Sequence, residues 1–295
     1  MLVQLDVRVP SYVARQCWRL GVAGLTESLR KLPGVSAHRV FGDGTVADAV
    51  DHFVRTGWVH IRPPEGDALA ARLQAWADEV AAWPDAGGWL HYREQTEAGP
   101  ALCRTENLVP HHEGLRSLLC SGSLVDAAGA LLGEPAVLYK DKLNHKLPGG
   151  AGYAPHQDAP AYRFVDVHVS CMVAIDDATE ANGCLEVVSG AHDRLWPTDE
   201  VGCIRGDVVA SMAWEPVPVR AGDALWFHSR TPHRSGPNTS TRSRRALYPT
   251  YNARSEGDLR EDYYRQKAAE LAAVPAAGDR VAVSLIGDFQ GRPVR

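Results

Sequence analysis

The stretch YKDKLNHKLPGGAGYAPHQD, Tyr139–Asp158, decides how the rest of the chain is read. Its first half alternates: Lys140, Lys142, Asn144 and Lys146 share one parity, and Asp141, Leu143, His145 and Leu147 share the other. On a strand that sends the two sets to opposite faces. Its second half passes through Pro148-Gly149-Gly150, a turn signal, and ends in His156-Gln157-Asp158. If that end is extended, His156 and Asp158 point to one side. An imidazole and a carboxylate are two parts of the 2-His-1-carboxylate triad that holds non-haem Fe(II). A third ligand has to come from elsewhere, and the segment after residue 221 offers two, His228 at the end of a strand and His233 in a turn-rich run.

The bulk composition agrees with an ordinary globular chain. Of 295 residues, 45% are hydrophobic and 23% charged, and the net charge is −5. That balance, without a basic-aromatic block, argues against a nucleic-acid partner. No uninterrupted apolar run approaches the roughly 18 residues of a membrane span, and the first residues lack a basic-then-apolar leader. Six cysteines without a C-x-x-C pair fit free thiols, so a cytoplasmic location is expected. Only five of the 31 basic residues are lysines, and three of the five are Lys140, Lys142 and Lys146.

Helical periodicity dominates the first half of the chain and short strands the second. Pro10–Leu32 reads as an outer helix. Helices are expected from Thr45 to Val54, Ala68 to Trp83, His111 to Leu118 and Leu124 to Leu132, with strands at 57–63 and 102–109. From residue 136 the pattern turns to strands at 136–147, 163–175, 184–188, 201–212, 223–228 and 244–251, separated by Gly/Pro/Asn/Asp turns. A helix at 258–273 and a strand at 281–286 close the chain. The expectation is an α+β, mainly β chain built as an antiparallel sandwich or barrel. It forms one domain, with 1–45 an N-terminal helical extension, 46–252 the core and 253–295 a C-terminal helix and tail. His111-His112-Glu113 is read as a helix start, because adjacent histidines diverge on regular backbone.

Taken together, His156/Asp158, the run His233-Arg-Ser235-Gly-Pro-Asn238-Thr-Ser240, Arg244 eleven residues beyond His233, and Asn182-Gly183 through His192 resemble the phytanoyl-CoA dioxygenase family of Fe(II)/2-oxoglutarate oxygenases. The resemblance covers roughly residues 48 to 252, with Ile175, Ser189 and Ala191 as mild departures. It implies a double-stranded β-helix, a cupin-like jelly roll, with flanking helices. It also implies that His156, Asp158 and His233 hold Fe(II), leaving positions for 2-oxoglutarate and O2. Arg244 would take the distal carboxylate of 2-oxoglutarate by a bidentate pairing that lysine cannot match, Ser235 would add a hydroxyl, and Asn144 would approach the carboxylate beside the keto group. The intact Asp158 points to hydroxylation rather than halogenation.

With Asn144 facing the cosubstrate, parity turns Lys140, Lys142 and Lys146 inward as well, which favours a small anionic substrate; the competing reading is a solvated edge strand. Arg104, Gln157, Tyr162 and His168 are further candidate substrate contacts, and Asp166 shares His168's parity. The lysine stretch is similar to family members that hydroxylate small phosphonates. Other anions remain in view: carboxylates, phosphorylated metabolites, acyl groups on coenzyme A or a carrier. So do aminocyclitols, a jelly-roll binding protein without turnover, and a cupin-like enzyme that does not use 2-oxoglutarate. The sequence assigns no oligomeric state.

Overall fold

The computed structural model describes residues 46–63, 65–96, 99–162, 165, 167–272 and 293–294. The expected Pro10–Leu32 helix, the 281–286 strand and Asp166 lie outside these.

Four helices precede most of the sheet. They are α1 (Val46–Thr56), α2 (Gly66–Ala81), α3 (Glu113–Cys120) and α4 (Ser123–Leu132). Each buries a stripe at helical spacing, such as Leu69, Leu73, Ala77 and Val80 in α2. His112 caps α3, its Nδ1 accepting the amide of Leu115 at 3.0 Å. The span Glu113–Leu132 is long and apolar enough to pass for a membrane helix, at a mean hydropathy of 1.3 over its best window. It is broken at Ser121-Gly122, where Gly122 takes φ 147°, and α4 is buried along most of its length. These are core helices.

The strands are β1 (Trp58–Ile61), β2 (Leu90–Thr96), β3 (Gly99–Glu106), β4 (Ala136–Lys146), β5 (Tyr153–His156), β6 (His168–Ala174), β7 (Leu185–Val187), β8 (Glu215–Val217), β9 (Ala224–His228), β10 (His233–Ser235), β11 (Arg244–Ala253) and β12 (Pro293–Val294). They make two antiparallel sheets, ordered β1-β9-β6-β11-β4-β3-β2-β12 and β5-β10-β7-β8. This is the expected jelly roll.

The large sheet shows the alternation that a two-faced sheet requires. On β6, Val169, Cys171 and Val173 pack toward the helices, while Met172 and Ala174 face the small sheet. On β9, Ala224 and Trp226 go outward, and Leu225 and Phe227 inward. The helix-side cluster is the larger of the two. The interior between the sheets is apolar only at one end, where Leu185, Val187, Val217 and Ala246 close it. The other end carries the polar site. Last comes α6 (Arg260–Ala272), after a single helical turn α5 (Gly206–Val209).

One expectation about elements fails. The 201–212 segment is no strand: a single bridge pairs Thr198 with Ile204, and α5 follows. Its Cys203 and Ile204 are buried beneath a loop, while Val201 is exposed. The strands β5, β7, β8 and β10 are three or four residues long, too short to show a period of two unaided.

Candidate active site

His156 ends β5 and His233 opens β10; the two are cross-strand partners in the small sheet. Register alone therefore brings their rings together, with centroids 4.2 Å apart. Asp158 reaches them differently from the expectation. Its backbone is helical (φ −72°, ψ −30°), the entry to a short turn at Ala159–Ala161. The chain bends after His156, so a corner delivers the carboxylate where strand alternation was expected to.

The donor atoms are well prepared. The Nδ1 of His156 lies 2.7 Å from the Ala154 carbonyl, and that of His233 lies 3.0 Å from the Thr231 carbonyl. A carbonyl only accepts, so each Nδ1 carries the proton and each Nε2 is left as a lone-pair donor. Both Nε2 atoms sit 3.9 Å from Asp158 Oδ1. Ser170 donates to Asp158 Oδ2 at 2.9 Å, which leaves Oδ1 as the ligand oxygen. All three donors lie within 4.8 Å of one another. Burial, reinforced by the neighbouring His233, lowers His156 to about 3, so it is neutral at working pH. Burial would raise Asp158, but His233, His156, Lys142 and Lys140 outweigh it and keep the carboxylate ionised. Two neutral imidazoles and a hard carboxylate, with no thiolate, fit Fe(II). His228, the other candidate ligand, lies on a different strand and accepts the amide of Arg230 through Nδ1 at 3.0 Å.

A cavity of about 440 Å3, counting its open mouth, adjoins the triad. Lys142 and Asn144 from β4, and Tyr248 and Thr250 from β11, form one wall; Phe227 and Leu185 form an apolar one.

At one end lies Arg244, 2% exposed. It donates through Nη2 to the Gly183 carbonyl at 2.9 Å, and its Nε is buried without an acceptor. A buried guanidinium with an unused donor is a seat for a carboxylate. Lys146 joins it there. Its Nζ donates to Ser235 Oγ at 2.8 Å and to the Gly236 carbonyl at 2.5 Å. Burial, with the charge of Arg244, lowers Lys146 to about 7. Lys146 is thus tied to Ser235 beside Arg244 and set apart from Lys140 and Lys142, with which parity had grouped it. Gly183 has to be glycine: φ is +73°, and a Cβ there would lie 2.3 Å from the Gly236 carbonyl oxygen.

The remaining lysines point inward, Lys140 buried and Lys142 half-buried. Lys140 is 7% exposed, with its Nζ 4.2 Å above the Tyr162 ring; Lys142 is 5.2 Å from the Tyr248 ring. Neither makes a hydrogen bond or ion pair with a described residue. Burial holds Lys140 well below its usual range, and Lys142 is lowered to about 8, by burial first and then by Arg104. His168, with both ring nitrogens buried and unpartnered, packs edge-on to Tyr162 at 4.4 Å. It projects from the same face of β6 as Ser170.

Two candidates are otherwise engaged. The amide of Gln157 is consumed by backbone: Nε2 donates to Arg194 O (2.8 Å) and Arg230 O (2.5 Å), and Oε1 accepts from Trp196 N (2.8 Å). It ties loops together and has no polar atom left for a substrate. Arg104 braces the wall, donating through Nε to Asn144 Oδ1 at 2.9 Å and through Nη2 to Tyr153 Oη at 3.1 Å. Sequence reasoning missed Glu106, Lys267, Ser170, Tyr248 and Thr250. The parity of Arg244 carried along β11 would have found the last two; Lys267 lies on a helix with no local sign of a site.

Known proteins agree with this geometry. A family model described as phytanoyl-CoA dioxygenase (PhyH) matches residues 53–246. The methylphosphonate hydroxylase of Gimesia maris is 46% identical over 255 residues, covering 85% of this chain and 98% of that one. A 2-aminoethylphosphonate dioxygenase from an uncultured bacterium is 39% identical over 231 residues, covering 76% and 87%. Among solved structures, EctD from S. alaskensis with 2-oxoglutarate and 5-hydroxyectoine superposes with a TM-score of 0.61 at 20% identity, over 75% of this chain and 81% of that one.

Proposed function

The chain belongs to the phytanoyl-CoA dioxygenase family and is an Fe(II)/2-oxoglutarate-dependent dioxygenase, and from that premise we propose that it hydroxylates a short alkylphosphonate, with methylphosphonate the first compound to test. One observation carries the choice: Lys140, buried, and Lys142, half-buried, are two inward ammonium groups without an acceptor among the described residues, on the sheet face that also carries the ligand-supporting Ser170. A buried cation without a counter-charge is costly, and a compact dianion in the cavity satisfies both at once. The names of the two relatives at 46% and 39% identity support the same chemistry.

In this reading His156, Asp158 and His233 hold the iron. Held there with 2-oxoglutarate and O2, iron would supply the oxidising power for C–H hydroxylation, coupled to conversion of 2-oxoglutarate to succinate and CO2. The chain's own part is placement. Arg244, with Ser235 and Lys146, takes the distal carboxylate of 2-oxoglutarate, and Asn144 stands beside its other end. Ser170 keeps one Asp158 oxygen occupied so that the other stays on the metal. Lys140 and Lys142 hold the phosphonate, with His168 as a further donor, and fix where the C–H bond lies. Phe227 and Leu185 keep that region dry, which strengthens each charge pairing. One domain carries all of this. The five described cysteines are free thiols, which supports a cytoplasmic setting.

Incubation with Fe(II), 2-oxoglutarate, O2 and methylphosphonate tests the reading. Succinate should form in step with a hydroxylated phosphonate seen by 31P NMR. Coupled turnover with a carboxylate or acyl substrate, and none with any phosphonate, would refute it.

A further inference from the structure

Helix α6 lies beyond the residues matched by the family model, yet it sends one side chain back to the site. Lys267 Nζ is 2.5 Å from Glu106 Oε2, and the glutamate side chain is only 2% exposed. Glu106 stands directly opposite Lys142 in the β3–β4 register, so side chains on that face are neighbours. It is the carboxylate whose charge both Lys140 and Lys142 feel besides Asp158. In a dry interior, ammonium groups this close to a carboxylate collapse onto it unless something else holds it. They have not done so. One oxygen of Glu106 is taken by Lys267, and the other faces Arg104 Nη1 at 3.5 Å.

We propose that Lys267 is a positioning residue that holds Glu106 off Lys140 and Lys142, so that both ammonium groups stay open to the anionic group of the substrate. The inference rests on the reading that those two lysines bind substrate. The helix is anchored for this task. Arg260 pairs with the buried Asp141 at 2.5 Å, Tyr264 Oη donates to the Asp141 carbonyl at 3.0 Å, and Tyr263 stacks at 5.0 Å on Tyr139. Lys267 itself reaches in past Tyr263, its Nζ 5.7 Å from that ring and 5.4 Å from Tyr92. Seating α6 thus governs the charge left over in a pocket that the helix does not line.

The test compares Lys267→Met, the double variant Lys267→Met/Glu106→Gln, and Lys142→Met. Methylphosphonate affinity is read by calorimetry on Mn(II)- and 2-oxoglutarate-loaded protein, and KM and kcat on the iron enzyme. In Lys267→Met the glutamate is released onto the lysines. Methylphosphonate Kd and KM should then rise by about tenfold or more, while the 2-oxoglutarate KM moves by less than about twofold. The double variant removes the competing carboxylate, and its methylphosphonate Kd should return to within about threefold of the parent. It also leaves no buried carboxylate stripped of its lysine partner, so it is expected to fold even where Lys267→Met does not, and its Kd alone then decides. Parental affinity in Lys267→Met, or a double variant as impaired as the single, overturns the inference. If Lys142→Met leaves methylphosphonate binding unchanged, the substrate reading itself has failed. If Lys142→Met weakens binding and Lys267→Met does not, only the role of Lys267 falls.

Discussion

Replacing Lys142 by methionine should make the protein more stable and less active, and both magnitudes follow from the site. Burial, with the nearby Arg104, lowers Lys142 to about 8, against 10.5 for a solvated lysine. At about 1.4 kcal/mol per tenfold, that difference is a cost of roughly 3 kcal/mol for keeping the ammonium charged inside the fold. The folded-state value is depressed, so between pH 8 and 10.5 the unfolded chain binds the extra proton, and the cost shrinks as pH rises through that window. Methionine keeps most of the volume and carries no charge. Allowing for imperfect packing, Lys142→Met should gain about 1–2 kcal/mol below pH 8, roughly 2–6 °C in Tm, with the gain fading towards pH 10.5. Function moves the other way. Losing one inward charged partner of the substrate costs about 2–3 kcal/mol, or roughly 30–150-fold in methylphosphonate kcat/KM, with Lys140 retaining the remainder. Thermal melts across pH 6–10 and steady-state kinetics with a fixed, saturating 2-oxoglutarate level measure both. A variant that loses stability at pH 7, or keeps its kcat/KM, would refute the argument that Lys142 is an inward charge held for the substrate.

Arg244→Lys keeps the charge but not the fork, and should raise the 2-oxoglutarate Kd by about tenfold or more while leaving methylphosphonate affinity within about twofold, measured by calorimetry on the Mn(II) form. Lys146, lowered to about 7 in the empty protein, loses its charge as pH rises past that value. The 2-oxoglutarate Kd should therefore weaken from pH 6.5 to 8.5, and Lys146→Met should flatten the profile; an unchanged profile removes Lys146 from the cosubstrate site. Gln157→Ala breaks three buried backbone hydrogen bonds and should lower stability by about 1–3 kcal/mol in a denaturant titration, without a selective rise in substrate KM.

What the sequence discloses about this site depends on how locally each residue is placed. The spacing from His233 to Ser235 and Arg244 lies within one short run of chain, so Arg244 could be picked from three nearby arginines. Structure adds why Arg245 differs: it points the other way, to Asp176 at 2.8 Å. Parity along β4 placed Lys140, Lys142 and Asn144 on the inner face, but parity gives a face and not a position along it. Lys146, four residues from Lys142, is tied to Ser235 and the Gly236 carbonyl instead of lining the cavity. Adjacency to the ligands misled in the case of Gln157, since the bend at Asp158 turns it into the loop contacts. The pair of Glu106 and Lys267 was invisible because their partnership spans 161 residues and needs both a strand register and a docked helix.

The extra residue in β4 deserves a last consequence. Register runs from Lys140 opposite Thr250 directly to Leu138 opposite Tyr251, leaving Tyr139 unmatched. Leu138 and Leu143 therefore both reach the helix-side core, although their numbers differ in parity. The strand works as two combs joined out of phase, one toothed with lysines for the cavity and one with apolar side chains for α4. Deleting Tyr139 would join the combs in ordinary alternation, with Leu138 still facing the helices and Lys140 the cavity. Regular pairing that kept Tyr139 would instead turn Leu138 to the lysine face, so the bulge is what keeps an apolar anchor out of the polar half of the interior. The tyrosine that absorbs the mismatch packs on Tyr162 and Tyr263, the same rings that shelter Lys140.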